Sequence, residues 1–331
     1  MSAPAPRLVG VLVTFRRPAA LAITLERLAK QDRRLDRLIV VDNAPSDDSR
    51  RAVAGADGVA GTVEHLEMDQ NVGFTGGVAA GMRRALEIAD DQDYIVVLDD
   101  DDPVPFLTIF SELESFAGDM LREDPTTAGV AITGGRFDWK RGRIQRVPDR
   151  ELHGPVPVDH LAGNQVPFYR VGAVRSAGTF HAPLFFGLSE LEFGLRLTRA
   201  GYAFYAHGDI WRRRREELGR LGIEGGPSWR LAPMNWRRYY VLRNSVYMLR
   251  RFGRTDTALR VAAVNVGKPL VNLPLEPRLA SRHLATNLKA CRDGWVGRMG
   301  RQVEPDSDAR HARKAGAVPT GSVPGAGEGS P

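Results

Sequence analysis

Four consecutive aspartates, Asp99 to Asp102, follow the apolar run Tyr94-Ile-Val-Val-Leu98. Carboxylates this close repel one another, and each costs folding energy unless a positive charge compensates. A divalent cation is the natural compensator, because Mg²⁺ and Mn²⁺ take hard oxygen ligands and commonly bridge substrate phosphates. Alternate residues of an extended chain point to the same side, so Asp99 and Asp101 are spaced to share one ion. A solvated acidic turn or helix cap is the plain alternative. Asp42 closes a second apolar run, Leu38-Ile-Val-Val. A carboxylate at a strand end can accept from ribose hydroxyls or a base N–H; it can also cap the following helix, a task open to Asn43 and Ser46 as well. Asn71-Val-Gly-Phe-Thr-Gly-Gly77 reads as a glycine loop, where backbone can approach a ligand that side chains would obstruct. It is neither a Walker loop nor a GxGxxG fingerprint. Glu190 and Glu192 stand at the start of a helical pattern, where the dipole favours anions. Glu190 falls outside the apolar step of Leu191 and Leu195, so it could face a cleft and act as general base on a hydroxyl. Without a cleft it would be an ordinary N-terminal helix acid. Arg196 is spaced to pair with Glu192 at i, i+4.

These residues need a scaffold, and the first hundred residues alternate strand and helix signals. Leu8-Val-Gly-Val-Leu-Val-Thr14 and Leu38 to Asp42 are continuous apolar runs, as in strands buried on both faces. Pro18 opens a helix with Leu21, Leu25 and Leu28 in step. Thr62 to Met68 alternates as a third strand, a helix runs from Val78 to about Ala89, and Tyr94 to Leu98 is a fourth strand. Strands separated by helices predict a parallel sheet with right-handed crossovers. Ligands of such sheets sit outside the carboxyl ends of the strands, where Thr14, Asp42, Asn71 and the aspartates all fall. Further helices are expected from Phe106 to about Leu121, from Glu190 to Ala200 and from Trp236 to Arg251, with a strand from Ala128 to Thr133. Gly134 to Val171 reads as loops and short strands, and Leu259 to about Arg298 as a weak helix broken by Pro269, Pro274 and Pro277. From about Val303 the composition of Gly, Ala, Pro, Ser and charge predicts a disordered tail.

A length of 331 residues allows about two domains, or one large α/β domain with an appendage. The single cysteine, Cys291, excludes an internal disulfide and a cysteine-cluster metal site. No apolar run reaches the roughly 18 residues of a spanning helix, and the first apolar run is too short for a signal peptide. The expectation is a cytoplasmic protein, soluble or peripheral at the inner face of a membrane. Net charge is +6, but Asp209 to Arg254 alone carries twelve arginines against four acids. Such a segment suits a diphosphate, an anionic membrane or a nucleic acid, or is simply solvated helix. The helix from Trp236 to Arg251 mixes Tyr239, Tyr240, Val241, Val246, Tyr247 and Leu249 with arginine. It could lie on an anionic membrane and present a polyprenyl-linked acceptor, or pack on the body with its arginines in water.

Taken together, Val13-Thr-Phe-Arg16, Val41-Asp-Asn43, Asn71 to Gly77, Leu98-Asp-Asp-Asp101 and Glu190-Leu-Glu192 with Leu195-Arg196 resemble the family 2 glycosyltransferases of the GT-A fold. The resemblance covers residues 7–215. Trp236-Arg-Arg-Tyr-Tyr-Val-Leu-Arg-Asn244 is similar to the region after the catalytic domain in rhamnosyl- and galactofuranosyl-transferase-like members. It implies a Rossmann-like catalytic domain over residues 1–215, an arginine-rich helical extension over 216–302 and a tail over 303–331. It also implies a cell-envelope enzyme that moves a sugar from a nucleotide-diphosphate donor to an acceptor hydroxyl with inversion. The acceptor would be a cell-envelope or lipid-linked glycan, or a small molecule. On this resemblance Thr14 and Asp42 hold the nucleoside, and Arg16, Asn71, Gly73, Gly76 and Gly77 line the donor site. Asp99 and Asp101 hold Mg²⁺ or Mn²⁺ as the DXD pair, with Asp99 and Asp100 close to the donor, and Glu190 is the base. Three departures stand out. Ser189-Glu190 replaces the usual acid pair ending in Asp, Arg16 replaces an Asn, and no His aligns with the metal-site His of many members. His207 is left as a candidate ligand, and Arg212 to Arg215 as candidates for the diphosphate. A nucleotidyltransferase would need a glycine- and lysine-rich loop that Val11 to Arg17 lacks. A non-catalytic sugar-nucleotide or membrane-surface binder stays open. A nucleic-acid binder would leave the strand-end aspartates unexplained.

Overall fold

The computed structural model describes residues 5–101, 104–222 and 230–304, so Asp102 and the chain beyond Glu304 lie outside the described residues. The strands are β1 (Leu8–Thr14), β2 (Leu35–Asp42), β3 (Ala60–Glu67), β4 (Tyr94–Asp99), β5 (Thr127–Ala131), β6 (Gly134–Asp138), β7 (Arg143–Gln145), β8 (Pro155–Val158), β9 (His160–Leu161), β10 (Phe168–Arg170) and β11 (Ala203–His207). The helices are α1 (Pro18–Ala29), α2 (Asp47–Ala54), α3 (Gly73–Ile88), α4 (Ile109–Glu123), α5 (Val171–Ala177), α6 (Ser189–Arg199), α7 (Gly208–Glu217), α8 (Trp236–Arg251), α9 (Thr255–Asn272) and α10 (Pro277–Val296). Eight strands join in the order β3-β2-β1-β4-β10-β5-β11-β8, and β7-β6-β9 form a small second sheet. The β3-β2-β1-β4 half is entirely parallel. The antiparallel strand β10 separates it from the parallel pair β5 and β11.

The continuous apolar run of β1 divides by alternation between two cores. Val9, Val11 and Val13 face α3 and the Tyr169 cluster, whereas Leu8 and Leu12 face α1 and α4. Burial on both faces is what a central parallel strand requires. Gly76 and Gly77 belong to helix α3, which begins at Gly73 rather than Val78. The glycines serve close packing here. A Cβ on Gly77 would sit 2.8 Å from Val13 Cγ1, and one on Gly81 would collide with Val11. Helical spacing of these small residues lets α3 lie directly on β1.

Helices α8, α9 and α10 pack on one another and share two apolar clusters with the body. Helix α8 is the inner one, with Tyr239, Tyr240, Val246 and Leu249 buried, which corrects the idea that this helix offers its apolar face to a membrane. The predicted break at Pro269 is also corrected, because α9 runs through it. A helical proline cannot donate to the carbonyl four residues back. That carbonyl, Asn265 O, instead accepts from the buried Asn287 side-chain amide of α10 at 2.6 Å. Asn287 Oδ1 in turn accepts from Arg238 of α8 at 3.2 Å. One side chain thus satisfies the proline-freed carbonyl and ties three helices together. Near the end of the described chain, Gln302 and Val303 are held by hydrogen bonds to the Tyr240 hydroxyl.

Asn287→Ala is expected to destabilise the protein by about 1–3 kcal/mol, since it removes the partner of a part-buried carbonyl and a buried side chain that ties three helices together. In a Pro269→Ala background, where a backbone N–H returns to that carbonyl, thermal melts should show a smaller loss.

Candidate active site

A cleft of about 1340 Å³ opens at the carboxyl ends of the parallel strands. Register builds its floor, with Thr14 paired to Asp42 and Val13 to Asp99. The next residue of the β4 end, Asp100, therefore reaches Thr14, whose hydroxyl donates to Asp100 Oδ2 at 2.7 Å. Arg17 Nη1 donates to Asp100 Oδ1 at 3.1 Å and also pairs with Asp101. Asp100 is buried and tethered, while half-buried Asp99 and exposed Asp101 face the cleft. Oxygens of all three carboxylates lie within 4.8 Å of one another. Burial, then the charges of Asp101 and Asp100, push Asp99 up to about 8. Burial also raises Asp100, against the opposing bonds from Thr14 and Arg17. One arginine does not compensate three acids. A hard-oxygen set whose mutual repulsion is only partly relieved fits a divalent cation on Asp99 and Asp101.

The opposite wall is the start of α6 and the turn that precedes it. Phe185 and Leu188 take left-handed φ values of 62° and 61°, as Arg16 does at 54°. Non-glycine residues in this region cost energy and persist only where neighbours over-determine them. The neighbours here are in α8. Buried Arg243 donates to Leu184 O at 2.7 Å and to Gly300 O at 2.6 Å. The Asn244 amide donates to the carbonyls of Leu184, Phe186 and Gly187 at 3.1, 2.9 and 2.8 Å. Behind this wall Thr75 N–H donates to Phe185 O at 3.2 Å, and the buried Thr75 and Ser189 hydroxyls meet at 2.6 Å. Gly73, at φ 75°, lies so near Phe185 O that any Cβ would collide with it.

Glu190 projects from this wall into the cleft, and burial raises its pKa. Gly163 lies against it, since a Cβ there would strike Glu190 Oε1. Glu192 is separated in role. It accepts from Arg196 at 3.2 Å, and Arg196 also donates to the carbonyls of Ala177, Gly178 and Thr179. That ion pair anchors α6 to the α5 end.

Of the expected donor residues, Thr14, Arg16, Asn71, Gly73, Asp99, Asp100 and Asp101 line the cleft. Asp42 is buried behind it, where Oδ1 accepts from Ala44 N–H at 2.9 Å and Oδ2 lies 3.4 Å from His65 Nε2. It fixes the Asn43-Ala-Pro45 turn, which does line the cleft. Gly76 and Gly77 also stand behind the wall, in α3. Ser46 caps α2, leaving Asn43 to bond Gly73 O at 3.1 Å and join β2 to the start of α3. His207 caps α7 and lies with its ring 4.7 Å from that of Phe116, and it does not belong to the cluster of Asp99, Asp100 and Asp101. Arg212 to Arg215 lie outside the lining and pair with Glu216, Glu112, Glu217 and Asp149 respectively. The basic groups that do line the cleft are Arg16, Arg17, Arg237 and Arg301. Sequence reasoning missed Arg17, Gly163 and Arg301. It also missed His160, a buried cleft residue whose pKa burial pushes down to about 4, which keeps it neutral. Arg237 sat within a motif already singled out; Arg301, remote in sequence from every other lining residue except Glu304, carried no local signal.

The α/β sheet thus sets an acidic strand end facing a carboxylate across the cleft at its carboxyl edge. The family described as Glycosyl transferase family 2 matches residues 11–152. Galactofuranosyltransferase GlfT1 of Mycobacterium tuberculosis is 33% identical over 206 residues, covering 59% of this chain and 66% of that protein. The GlfT1 of Mycolicibacterium smegmatis is 31% identical over 207 residues, with the same coverage. The match thus spans just under two thirds of these relatives. The fold is shared with the mannosyltransferase PcManGT from Pyrobaculum calidifontis, solved with GDP-Man and Mn²⁺ (TM-score 0.52, 17% identity, 94% of this chain and 80% of that one). It is shared also with GalNAc-T7, solved with UDP, GalNAc and Mn²⁺ (TM-score 0.53, 14% identity, 75% and 48%). Residues 11–152 match the family 2 glycosyltransferases, and the chain has the GT-A fold and resembles the galactofuranosyltransferases.

A carboxyl whose folded pKa is raised holds its proton longer when folded, so stability falls as pH climbs past the unfolded value of about 4.3. Glu190→Gln should therefore melt higher than the natural protein at neutral and mildly alkaline pH. The difference should shrink as pH falls through about 4 and vanish well below it, where both states hold the proton.

Proposed function

We propose that the protein is an inverting, metal-dependent glycosyltransferase whose donor is a nucleoside-diphosphate sugar and whose acceptor is a glycan hydroxyl. The observation that supports it most is the single cleft lined on one side by Asp99 and Asp101 and on the other by Glu190. Galactofuranose is the first donor sugar to test, because the curated relatives are galactofuranosyltransferases. Thr14, Arg16 and Asn71 contact the nucleotide, and Asp42 shapes its turn from behind. Asp99 and Asp101 would hold Mg²⁺ or Mn²⁺, which when bound neutralises charge on the departing diphosphate. Glu190 takes the proton from the acceptor hydroxyl. The acceptor oxygen bonds to the anomeric carbon as that carbon's bond to the diphosphate oxygen breaks, and the diphosphate leaves with the electron pair. Attack from the face opposite the leaving group inverts the configuration. The strained turn before α6, held by Arg243 and Asn244, sets where Glu190 stands. Phe186, Trp236 and Arg237 stack along the outer wall, with Arg237 5.1 Å from the Phe186 ring, and offer a sugar-binding surface to the acceptor.

Incubation with a panel of UDP-, GDP- and dTDP-sugars, with Mn²⁺, Mg²⁺ or EDTA, tests this directly. One nucleotide class should raise the melting temperature in a metal-dependent way, and Asp99→Asn or Asp101→Asn should abolish that rise. Glu190→Gln should keep the rise while transfer falls about 10²–10⁴-fold, the range for loss of a general base. For the natural protein, kcat should climb with pH through the raised Glu190 pKa. No stabilisation by any nucleotide sugar would refute the reading.

A further inference from the structure

The outer face of α9 is apolar and uncovered. Leu259, Ala263, Val266 and Leu270 recur at helical spacing, with Val264 and Val271 beside them. Leu270 is 47% exposed, Val271 68%, and Leu275, at the turn into α10, 80%. Monomeric proteins seldom leave such a continuous apolar stripe open to water without a use for it. Helix α10 packs along α9 and exposes Arg278 and Arg282 with Leu288 and Trp295, whereas Lys289 donates to Gln302 O beside the Tyr239 ring and Arg292 pairs with Asp293. Among the described residues Arg278 and Arg282 make no ion pair. Acidic residues on the hairpin are sparse: Asp256 at the far end, Glu276 at the turn, and Asp293, which is buried against Tyr239. No helix among the described residues is long and apolar enough to cross a membrane.

We propose that the α9–α10 hairpin is a docking face for an anionic lipid bilayer. The α9 stripe and Leu275 enter the headgroup–acyl boundary, and Arg278 and Arg282 meet lipid phosphates. Charge selects this occupant. A second copy docked face to face by a twofold axis would set the unpaired Arg278 and Arg282 against their own kind, whereas an anionic surface neutralises them. The face is distinct from the cleft, and the inference stands whether or not the catalytic reading does. It also differs from the earlier sequence expectation, which put the membrane contact on α8.

The test is flotation of the full chain with phosphatidylcholine vesicles and with vesicles containing phosphatidylglycerol, at low and high salt. Binding should require phosphatidylglycerol and weaken as salt rises. Arg278→Glu with Arg282→Glu should lower partitioning by about fivefold or more per residue, the effect of removing one surface cation. Leu270→Glu with Leu275→Glu should lower it roughly tenfold or more, because charge replaces the inserted apolar contact. All four side chains are exposed, and a circular-dichroism melt confirms folding. Equal binding to both vesicle types, or binding that neither variant weakens, overturns the proposal. A dimer in light scattering that Leu270→Glu with Leu275→Glu dissolves, without lipid binding, overturns it in favour of self-association.

Discussion

Three consecutive carboxylates at the end of a buried strand impose the constraint on which the site is built. They cannot all be charged side by side without compensation, and the fold supplies only part of it. Thr14 from β1 and Arg17 from the start of α1 engage Asp100, and Arg17 reaches Asp101 as well. The Thr24 hydroxyl donates to Asp100 O at 3.0 Å and fixes the backbone at the same place. Asp100 becomes a structural strut, and the repulsion left unrelieved shows in Asp99, whose carboxyl is pushed up to about 8. Repulsion among carboxylates held in fixed geometry is what a bound cation relieves, and the β1–β4 register makes the tethering possible.

The wall that carries Glu190 depends on a second constraint. Its approach turn holds two non-glycine residues in left-handed backbone, a conformation it would not keep alone. Arg243 and Asn244 in α8 bind the carbonyls of that turn, and Gly73 and Thr75 in α3 brace it from the other side. The helical extension is thus part of the cleft's frame: its buried arginine braces the wall that carries Glu190 and supplies no surface charge. Arg215 is likewise buried against Asp149, whereas Arg212 and Arg213 stay about half exposed beside Glu216 and Glu112.

Much of the molecule was legible before folding. The β1 and α8 bounds, and the helical starts at Pro18 and Trp236, follow from local pattern and caps. The strand-end positions of Thr14, Asp42 and the aspartates followed from the alternation of strand and helix. Glycines misled in one place, because in α3 they answer a close approach to β1 that exists only in three dimensions. Pro269 misled in another, because the hydrogen bond it removes from α9 is replaced by Asn287, more than a helix away in sequence. The same gap hid Arg301, which reaches the cleft only because residues 300–303 fold back on Arg243 and Tyr240.

By itself the sequence determined the layered α/β scaffold, the edge at which chemistry could occur and the residue types available there. Those properties depend on periodicity and on strand ends, which are local. Only the tertiary structure decided which acids remain free for a ligand, which arginines are structural, and which apolar face is left open to solvent. Each of those is a matter of pairing between groups distant in the chain, and a side chain's charge or polarity acquires a role only once its partner is fixed.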